Sequence, residues 1–371
     1  MNKKIFLRTI GITLFTASLF ILYSCSKNAD ESLTDEQKKQ QENNSEAISI
    51  DEKDFSESDN DLTSVDYKVF YDLLSVHGEW IQIQPEEIGL NPKGVTSNES
   101  IKKISLFSSL LSLKNAYTAS DANLGMVYVW KPSSLDLGVV RVEGELPVFT
   151  PYTNGQWIYT DAGWYFKAPT PAEETVSHYG RWVNSPSAGW MWVPGRVWSP
   201  AWVDWKQNDE YISWSPLPPS SYLANGIMNL PLIEDNNNVI IDKYQFMNND
   251  DYVIVEKKYF LEPEIFKYNN VYTKSGNRIL INELTGTEGV MVVNNSVINR
   301  GPDVNLIEYI YGKSIKPVEI RHNGNSNNVK YSEKEYIVYT PGFKRYKVNN
   351  SSKYKKAEPN SYKRYDEWKE K

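Results

Sequence analysis

Apolar and polar residues alternate in short runs through the middle of the chain, and large aromatic residues fill most of the apolar positions. Trp190 and Trp192 are two residues apart, as are Trp164 and Phe166. Residues two apart lie on the same face of a β-strand. Turn-forming residues such as Asp161-Ala162-Gly163 separate successive runs. The pattern therefore predicts β-hairpins that each carry an aromatic face.

The predicted hairpins share a Gly-x-Trp motif, which occurs at residues 78–80, 155–157 and 180–182. The first copy is interrupted: its second half is expected at residues 128–132, after an insertion at about 85–124. A fourth hairpin is expected within residues 200–216. Because a single hairpin is unstable in water, the hairpins must stack. We therefore expect a mainly β fold in which Trp-rich hairpin repeats form one sheet or a small barrel, spanning residues 62–220.

The second half of the chain has a different composition. Eleven of the twelve tryptophans lie from Trp80 to Trp214, and the twelfth is Trp368. A helix is expected to begin after Pro302-Asp303 and to end at Gly312, since proline and aspartate favour helix starts and glycine favours helix ends. Several short apolar runs around it predict strands. Residues 235–322 are thus expected to form a small α+β domain.

Long motifs occur in both halves of the chain. They are Pro151-Tyr152-x-x-Gly155-x-Trp157, His178-Tyr179-Gly180-Arg181-Trp182, Trp198-x-Pro200-Ala201-Trp202-Val203-x-Trp205 and Asn299-Arg300-Gly301-Pro302-Asp303-Val304. These motifs resemble those of a family of tryptophan-repeat bacterial envelope proteins whose domain has no known function. The resemblance implies an envelope location and a hairpin-repeat architecture, and it implies no particular chemistry.

The N-terminus has the composition of an export signal. Lys3, Lys4 and Arg8 precede an apolar run at residues 10–22, which is too short to span a bilayer. The following Leu22-Tyr23-Ser24-Cys25 resembles the lipobox of bacterial lipoproteins. That resemblance implies that residues 1–24 are removed and that Cys25 carries the lipid, while an ordinary secretory signal is the alternative. Lipid on Cys25 would anchor the protein in the outer membrane of a Gram-negative bacterium, at the periplasmic or the surface face.

The two predicted tails differ in charge. Residues 26–61 hold twelve acidic and four basic side chains, so residues 25–61 are expected to be a disordered acidic tether. Residues 323–371 form a basic tail rich in Tyr and Lys, with ten basic and four acidic residues from 343 onward. Disorder is one interpretation of this tail. The alternative is a basic-aromatic arm that rests on anionic lipid, lipopolysaccharide or glycan.

Composition excludes several kinds of site. Cys25 is the only cysteine, and the histidines are His77, His178 and His322, with no metal-ligand spacing among them. We therefore expect no metal and no cofactor. The net charge of −7 argues against nucleic acid as a partner.

Three functions remain open. The first is a non-catalytic envelope protein that binds envelope glycan through aromatic hairpins, with Trp198, Trp202, Trp205 and Trp214 as the outward-facing rings; the alternative for each ring is a place in the core. The second is a structural or assembly partner that docks other envelope proteins. The third is a polymer hydrolase using Asp204, Asp209 or Glu210, and it ranks last because acidic residues in a predicted turn are usually solvated. We expect the protein not to be an enzyme.

Overall fold

Strands outnumber helices throughout the part of the chain that the structure describes. A computed structural model describes residues 65–88, 126–133, 139–140, 148–219, 222–224, 227–229, 233–235, 238–240, 249–268, 280–293, 296–342, 345–348, 351–354 and 358–369. The predicted mainly β fold is confirmed. The predicted signal peptide, the acidic tether and most of the insertion lie outside the described residues.

The elements fall in the following order. The strands are β1 (Gly78–Ile83), β2 (Val127–Pro132), β3 (Val139–Val140), β4 (Val148–Phe149), β5 (Gln156–Thr160), β6 (Gly163–Lys167), β7 (Arg181–Ser185), β8 (Gly189–Val193), β9 (Val203–Gln207), β10 (Tyr211–Pro216), β11 (Tyr222–Ala224), β12 (Ile227–Asn229), β13 (Ile233–Asp235), β14 (Asn238–Ile240), β15 (Val253–Glu256), β16 (Thr285–Gly286), β17 (Val290–Val293), β18 (Ser296–Asn299), β19 (Glu319–Asn323), β20 (Lys330–Tyr331), β21 (Glu335–Tyr339), β22 (Arg345–Val348), β23 (Ser351–Tyr354) and β24 (Lys363–Arg364). The helices are α1 (Lys68–Leu74), α2 (Pro171–His178), α3 (Val304–Tyr311) and α4 (Tyr365–Lys369).

All four predicted hairpins form antiparallel pairs with aromatic residues opposite one another. The cross-strand pairs are Trp80–Trp130 in β1–β2, Trp157–Phe166 in β5–β6, Trp182–Trp192 in β7–β8 and Trp205–Trp214 in β9–β10. The first pair shows that the interrupted repeat does close across its insertion. Aromatic cross-strand pairs stabilise a sheet, so the repeat places its strongest contacts at the same point of each hairpin.

The hairpins are distributed over three open sheets. β1–β2 and β7–β8 form a five-stranded sheet of order β24-β1-β2-β8-β7, β5–β6 ends a six-stranded sheet of order β11-β12-β17-β18-β6-β5, and β9–β10 lies within β15-β10-β9-β16. Smaller sheets are β3–β4, β13–β14, β22–β23 and the three-stranded β19-β21-β20. The aromatic faces of the three large sheets meet in one core, so stacking occurs between sheets.

The motif glycines lie directly against the partner strand of their hairpin. A Cβ atom at Gly155 would be 2.4 Å from the carbonyl oxygen of Lys167 and 2.8 Å from the ring of Phe166. At Gly180 it would be 2.2 Å from the carbonyl oxygen of Val193. Only glycine allows such an approach. The glycine of the motif therefore leaves room for an aromatic ring on the opposite strand.

Strands from the second half of the chain complete the sheets of the first. β15 pairs with β10 and β16 pairs with β9, while β18 joins β6 next to the loop that precedes α3. The helix α3 begins at Asp303, whose carboxylate accepts from the Asn305 amide, and ends at Gly312 with φ 63°, as predicted. The main core runs from Val65 to Ile307, so the boundary predicted at 220–235 does not separate two cores.

The C-terminal residues differ from the predicted disordered tail wherever the structure describes them. β19, β20 and β21 form a sheet, and β24 pairs with β1. Tyr365 and Trp368 pack against an apolar cluster that includes Ile81 and Met191. The prediction of disorder relied on the average composition of the tail, which does not show that these few aromatic residues contact the sheet.

Candidate functional site

The four tryptophans predicted to face a ligand do not form an exposed row. Trp202, Trp205 and Trp214 are 2%, 1% and 0% exposed, and Trp198 is half-buried. The prediction of outward rings at the first three is therefore wrong. Trp202 and Trp205 do face different sides, as their spacing of three suggested, but each side is covered: Trp202 lies in a cluster with Val197 and Leu217, and Trp205 lies in the main core.

Trp205 and Trp214 belong to a central aromatic cluster. The ring of Trp157 lies 4.6 Å from Trp205 and 5.5 Å from Trp214, and Phe260 lies about equally far from both, at 5.9 and 6.2 Å. The rings are tilted or perpendicular in most of these pairs, which is the arrangement that aromatic quadrupoles favour. These tryptophans are thus components of a closely packed interior.

The indole N–H groups connect the hairpins to the helices, loops and second-half strand around them. Seven of them donate to oxygen atoms outside their own strand: Trp130 to Leu74 O, Trp164 to Pro302 O, Trp182 to Val176 O, Trp192 to Tyr179 O, Trp202 to His178 O, Trp205 to Asn299 Oδ1 and Trp214 to Tyr152 O. A buried N–H without an acceptor would cost about 1–3 kcal/mol. The indoles therefore set the orientation of each hairpin as well as filling space.

The second-half motif at residues 299–304 closes over two of these indoles. Asn299 is fully buried; its side chain accepts from Trp205 Nε1 at 2.8 Å and donates to the Trp164 carbonyl at 3.0 Å. Gly301 has φ 58°, and a Cβ there would lie 2.9 Å from the Trp164 ring. Pro302 accepts from Trp164 Nε1 at 2.7 Å. The motif thus covers two tryptophans of the aromatic core and provides their hydrogen-bond acceptors. This contact explains why the motif occurs together with the repeat in the sequence.

Four buried polar residues lie beside this core, and the sequence did not predict that they meet. They are Tyr165, Glu174, His178 and Tyr336, named here the Glu174 cluster. Each of these residues is less than 9% exposed. Glu174 and His178 are four apart on α2 and share one face of the helix. That spacing was a usable signal, whereas the arrival of Tyr336 from 162 residues away was not.

Four donors surround the Glu174 carboxylate. Tyr165 Oη donates to Oε2, Tyr336 Oη donates to Oε1 at 2.7 Å, the Ala168 amide donates to Oε1 at 2.8 Å, and His178 Nε2 lies 3.0 Å from Oε2. A carboxylate has about four acceptor sites, so all are occupied. Burial, and then the negative charge of Glu174, raise the pKa of Tyr165 well above its usual value.

His178 faces an acceptor on both sides. Its Nδ1 lies 2.9 Å from the Ser199 carbonyl oxygen, and its Nε2 faces Glu174. Both ring nitrogens therefore have their partners inside the protein. The contacts of Glu174 and His178 together hold α2 against β6 and the loop before β9.

The remaining sequence candidates are dispersed. Trp198 lies 4.8 Å from the ring of His322 and keeps part of its surface exposed. Asp204 accepts from Tyr252 Oη at 2.5 Å, while Asp209 and Glu210 lie in the exposed turn between β9 and β10. Cys25 lies outside the described residues. Within the described ranges, no group of three or more His, Cys, Asp or Glu side chains could hold a metal ion.

No helix in the described ranges is long and apolar enough to cross a membrane.

The hairpin region agrees with a known family profile. Residues 122–221, from just before β2 to just after β10, match a family of unknown function, DUF6600. The DUF6600 region contains the second half of the first hairpin and all of the next three. The chain matches none of the curated proteins and none of the solved structures. The family thus identifies the aromatic hairpins as a shared unit and gives them no activity.

Proposed function

We propose that this chain is a lipid-anchored, non-catalytic protein of the cell envelope that docks other envelope proteins. In this proposal Cys25 carries the lipid and holds the protein at the outer membrane of a Gram-negative bacterium. The observation that supports the docking role best is the burial of the tryptophans. Rings that lie inside the protein and donate their N–H groups to its own backbone give a rigid scaffold, and they leave little aromatic surface for a sugar.

Glycan binding through the hairpins is the alternative, and the aromatic core argues against it. A platform needs several exposed rings in a row, because a sugar face stacks on a flat apolar surface. Of the four tryptophans considered, Trp198 alone keeps part of its surface exposed. One half-buried ring beside His322 is a small surface compared with the 150–250 Å² that a large aromatic residue buries.

A structural role for the Glu174 cluster supports the non-catalytic part of the proposal. A general acid or base must exchange a proton with a substrate, and it therefore needs a free lone pair or an accessible proton. Each acceptor site of Glu174 is used by a protein donor, and each nitrogen of His178 faces a protein acceptor. These residues form a buried hydrogen-bond network that orients the core.

The anchor is tested in cells that express the full chain. The Cys25→Ala variant is expected to lose incorporation of labelled palmitate and to move from the detergent phase to the aqueous phase in detergent partitioning. Ser26→Ala is the matched control and should behave as the wild type. Continued membrane retention of the Cys25→Ala chain, with no palmitate incorporated, would contradict lipid anchoring.

The choice between docking and glycan binding is tested separately with the purified full chain. Acrylamide quenching of tryptophan emission is measured with and without peptidoglycan or lipopolysaccharide. Blue-shifted emission that neither polymer changes is the expected result. Protection of a quenchable fraction by one polymer, abolished by Trp198→Ala, would favour the glycan alternative.

A further inference from the structure

The edge of the five-stranded sheet is occupied by a short piece of the chain's own C-terminus. This piece, residues 358–369, is named here the C-terminal segment. β24 runs parallel to β1, with Ile81 opposite Lys363 and Gln82 opposite Arg364. The order β24-β1-β2-β8-β7 places β24 at the edge, so without it β1 would be the edge strand. An edge strand offers a row of backbone donors and acceptors to any extended peptide.

Charge and hydrogen bonding hold the segment to one carboxylate. Glu79, the second residue of β1, accepts from Lys363 Nζ and from Trp368 Nε1, the latter at 3.1 Å. Lys363 and Trp368 lie five residues apart, before and near the end of α4. Glu79 therefore recognises a cation and an indole at a defined spacing.

Aromatic contacts complete the recognition. Tyr362 packs edge-on against Tyr128 with the ring centres 4.8 Å apart, and Tyr365 Oη lies 2.5 Å from Ser187 Oγ. Tyr365 and Trp368 stack at 6.1 Å and lie on the apolar cluster beneath them. The contacts therefore involve the pattern Tyr-Lys-Arg-Tyr-x-x-Trp in the segment. On the sheet they involve one carboxylate, one hydroxyl and an aromatic surface.

These contacts have the character of a reversible complex. The backbone pairing is two residues long, and the Lys363–Glu79 pair is 37% and 46% exposed at its two side chains. Exposed ion pairs add little stability. Tyr365 and Trp368 are only half-buried. What keeps such a segment in place is its covalent tether, since a short linker gives an effective concentration in the millimolar range.

We propose that the edge of β1, with Glu79, Tyr128 and Ser187, is a peptide-binding groove, and that the C-terminal segment is its built-in occupant. The external ligand is an extended segment of another protein that carries a cation followed by aromatic residues, and it adds to β1 as a parallel strand. Glu79 selects the cation and the indole, and the ring of Tyr128 selects an aromatic residue just before the cation. This inference rests on the proposed docking function and names the chemistry of the partner.

The test uses the full mature chain in solution and a fluorescent peptide with the sequence of residues 361–369. The double variant Tyr365→Ala/Trp368→Ala weakens the internal occupant and leaves the groove intact. We expect this variant to bind the peptide at least about tenfold more tightly than the wild type by fluorescence anisotropy, because the tethered segment competes in the wild type. Equal affinity of the two chains would overturn the proposal.

Two further measurements identify the groove. Adding Glu79→Gln to the double variant should weaken peptide binding at least about fivefold, and a peptide with Glu at the positions of Lys363 and Arg364 should not bind. Unchanged affinity in either case would overturn the role of Glu79. Lys363→Glu in the full chain is a second release variant that keeps every ring, so a misfolded double variant does not remove the test; it too should bind the wild-type peptide more tightly.

Failure of this inference and failure of the anchor give different results. Peptide binding is measured in solution and does not depend on Cys25. A chain that is released by Cys25→Ala yet shows no peptide binding in any release variant would overturn the groove alone. A chain that binds the peptide but carries no lipid would support the groove and overturn the proposed anchoring.

Discussion

Trp205 and Trp368 each donate an indole hydrogen bond to a side-chain oxygen, but their surroundings differ. Trp205 is 1% exposed, lies 4.6 to 5.9 Å from Trp157, Trp214 and Phe260, and donates to buried Asn299. Trp368 is half-buried, stacks on Tyr365 and donates to the exposed Glu79. The first ring is enclosed between the sheet of β9–β10, the sheet of β5–β6 and the turn that carries Phe260. The second ring lies on the outside of one sheet.

The difference shows that enclosure decides what an aromatic residue contributes. Removing an enclosed ring leaves a cavity that rigid neighbours cannot fill, whereas removing a ring from the surface leaves a site that water enters. Enclosed rings therefore determine whether the protein folds, and peripheral rings determine which segments dock on it. The same residue type serves stability in the DUF6600 region and recognition at the β1 edge.

The largest expected effect comes from removing the enclosed ring. Trp205→Ala should lower the free energy of unfolding by about 3–5 kcal/mol, because it creates a cavity and leaves the Asn299 side chain without its donor. Urea unfolding followed by circular dichroism measures the change. A loss below about 1 kcal/mol would mean that the central aromatic cluster is not the main source of stability.

Glu174→Gln should be nearly as damaging. The substitution turns one acceptor oxygen into a donor nitrogen that faces a tyrosine hydroxyl or the Ala168 amide. Each buried polar group left without a partner costs about 1–3 kcal/mol, and the change affects both members of such a contact, so we expect a loss of about 3 kcal/mol. Glu173→Gln is the matched control on the same helix, where Asn154 and Thr170 donate to the carboxylate, and it should cost about 1 kcal/mol. Equal losses in urea unfolding would argue against a special contribution of the Glu174 cluster.

Alanine substitutions at Gly180 and Gly312 distinguish the cost of backbone strain from the cost of steric crowding. Gly180 and Gly312 have φ 65° and 63°, but a Cβ at Gly180 would collide with Val193, while nothing lies within 4 Å at Gly312. Gly312→Ala should cost about 1 kcal/mol from the left-handed conformation alone. Gly180→Ala should cost about 2–3 kcal/mol, because the hairpin must also open. Thermal unfolding of the two variants gives the comparison, and equal shifts would remove the packing argument for the Gly-x-Trp motif.

Alkaline pH should destabilise the enclosed region. Burial raises the pKa of Tyr152, Tyr165 and Tyr179 above the usual value of about 10. The unfolded chain loses these protons near pH 10 while the folded chain keeps them, so stability falls as the pH rises above 10. At pH 11 each such phenol favours unfolding by about 1.4 kcal/mol. Tyrosinate absorbance should rise gradually as exposed tyrosines such as Tyr309 titrate, and the buried tyrosines should add a separate cooperative step with unfolding. Gradual titration of every tyrosine in a folded chain would contradict the prediction.

The smallest expected effect comes from the peripheral ring. Trp368→Ala should change the free energy of unfolding by less than about 1 kcal/mol, because its site is open to water on one side. Hydrogen exchange should nonetheless become faster at β24, since local opening requires less free energy than global unfolding. A loss similar to that of Trp205→Ala would show that the C-terminal segment is part of the cooperative core.

The hairpins could be predicted because their determinants are local. Aromatic residues two apart, a Gly two before a Trp and a turn signal between two runs all act within about 25 residues in three of the four pairs. The first pair closes across the insertion, and its second half was predicted because residues 128–132 repeat the pattern of residues 190–194. The start of α3 at Asp303 and its end at Gly312 were predictable for the same reason. The exposure of Trp202, Trp205 and Trp214 was not, since it depends on which other sheet covers each face.

The Glu174 cluster and the C-terminal segment were also not predicted, because both depend on contacts between residues far apart in the chain. Glu174 and His178 carry a local signal, but Tyr336 reaches them only because β21 lies beside α2 in space. Trp368 lies in the basic segment for which disorder was predicted, and its partner Glu79 lies 289 residues earlier in the chain. Contacts of this range have no periodicity along the sequence, so residue spacing alone does not predict them.

The sequence by itself therefore determined the strands, their aromatic faces and the glycine positions, because each follows from backbone geometry over a few residues. The tertiary structure alone decided that the tryptophans are enclosed, that Asn299 and Pro302 accept their N–H groups, and that the C-terminal segment occupies the β1 edge. A ring is enclosed only when another sheet packs over it. The free energy of that packing comes from many residues that are far apart in the chain.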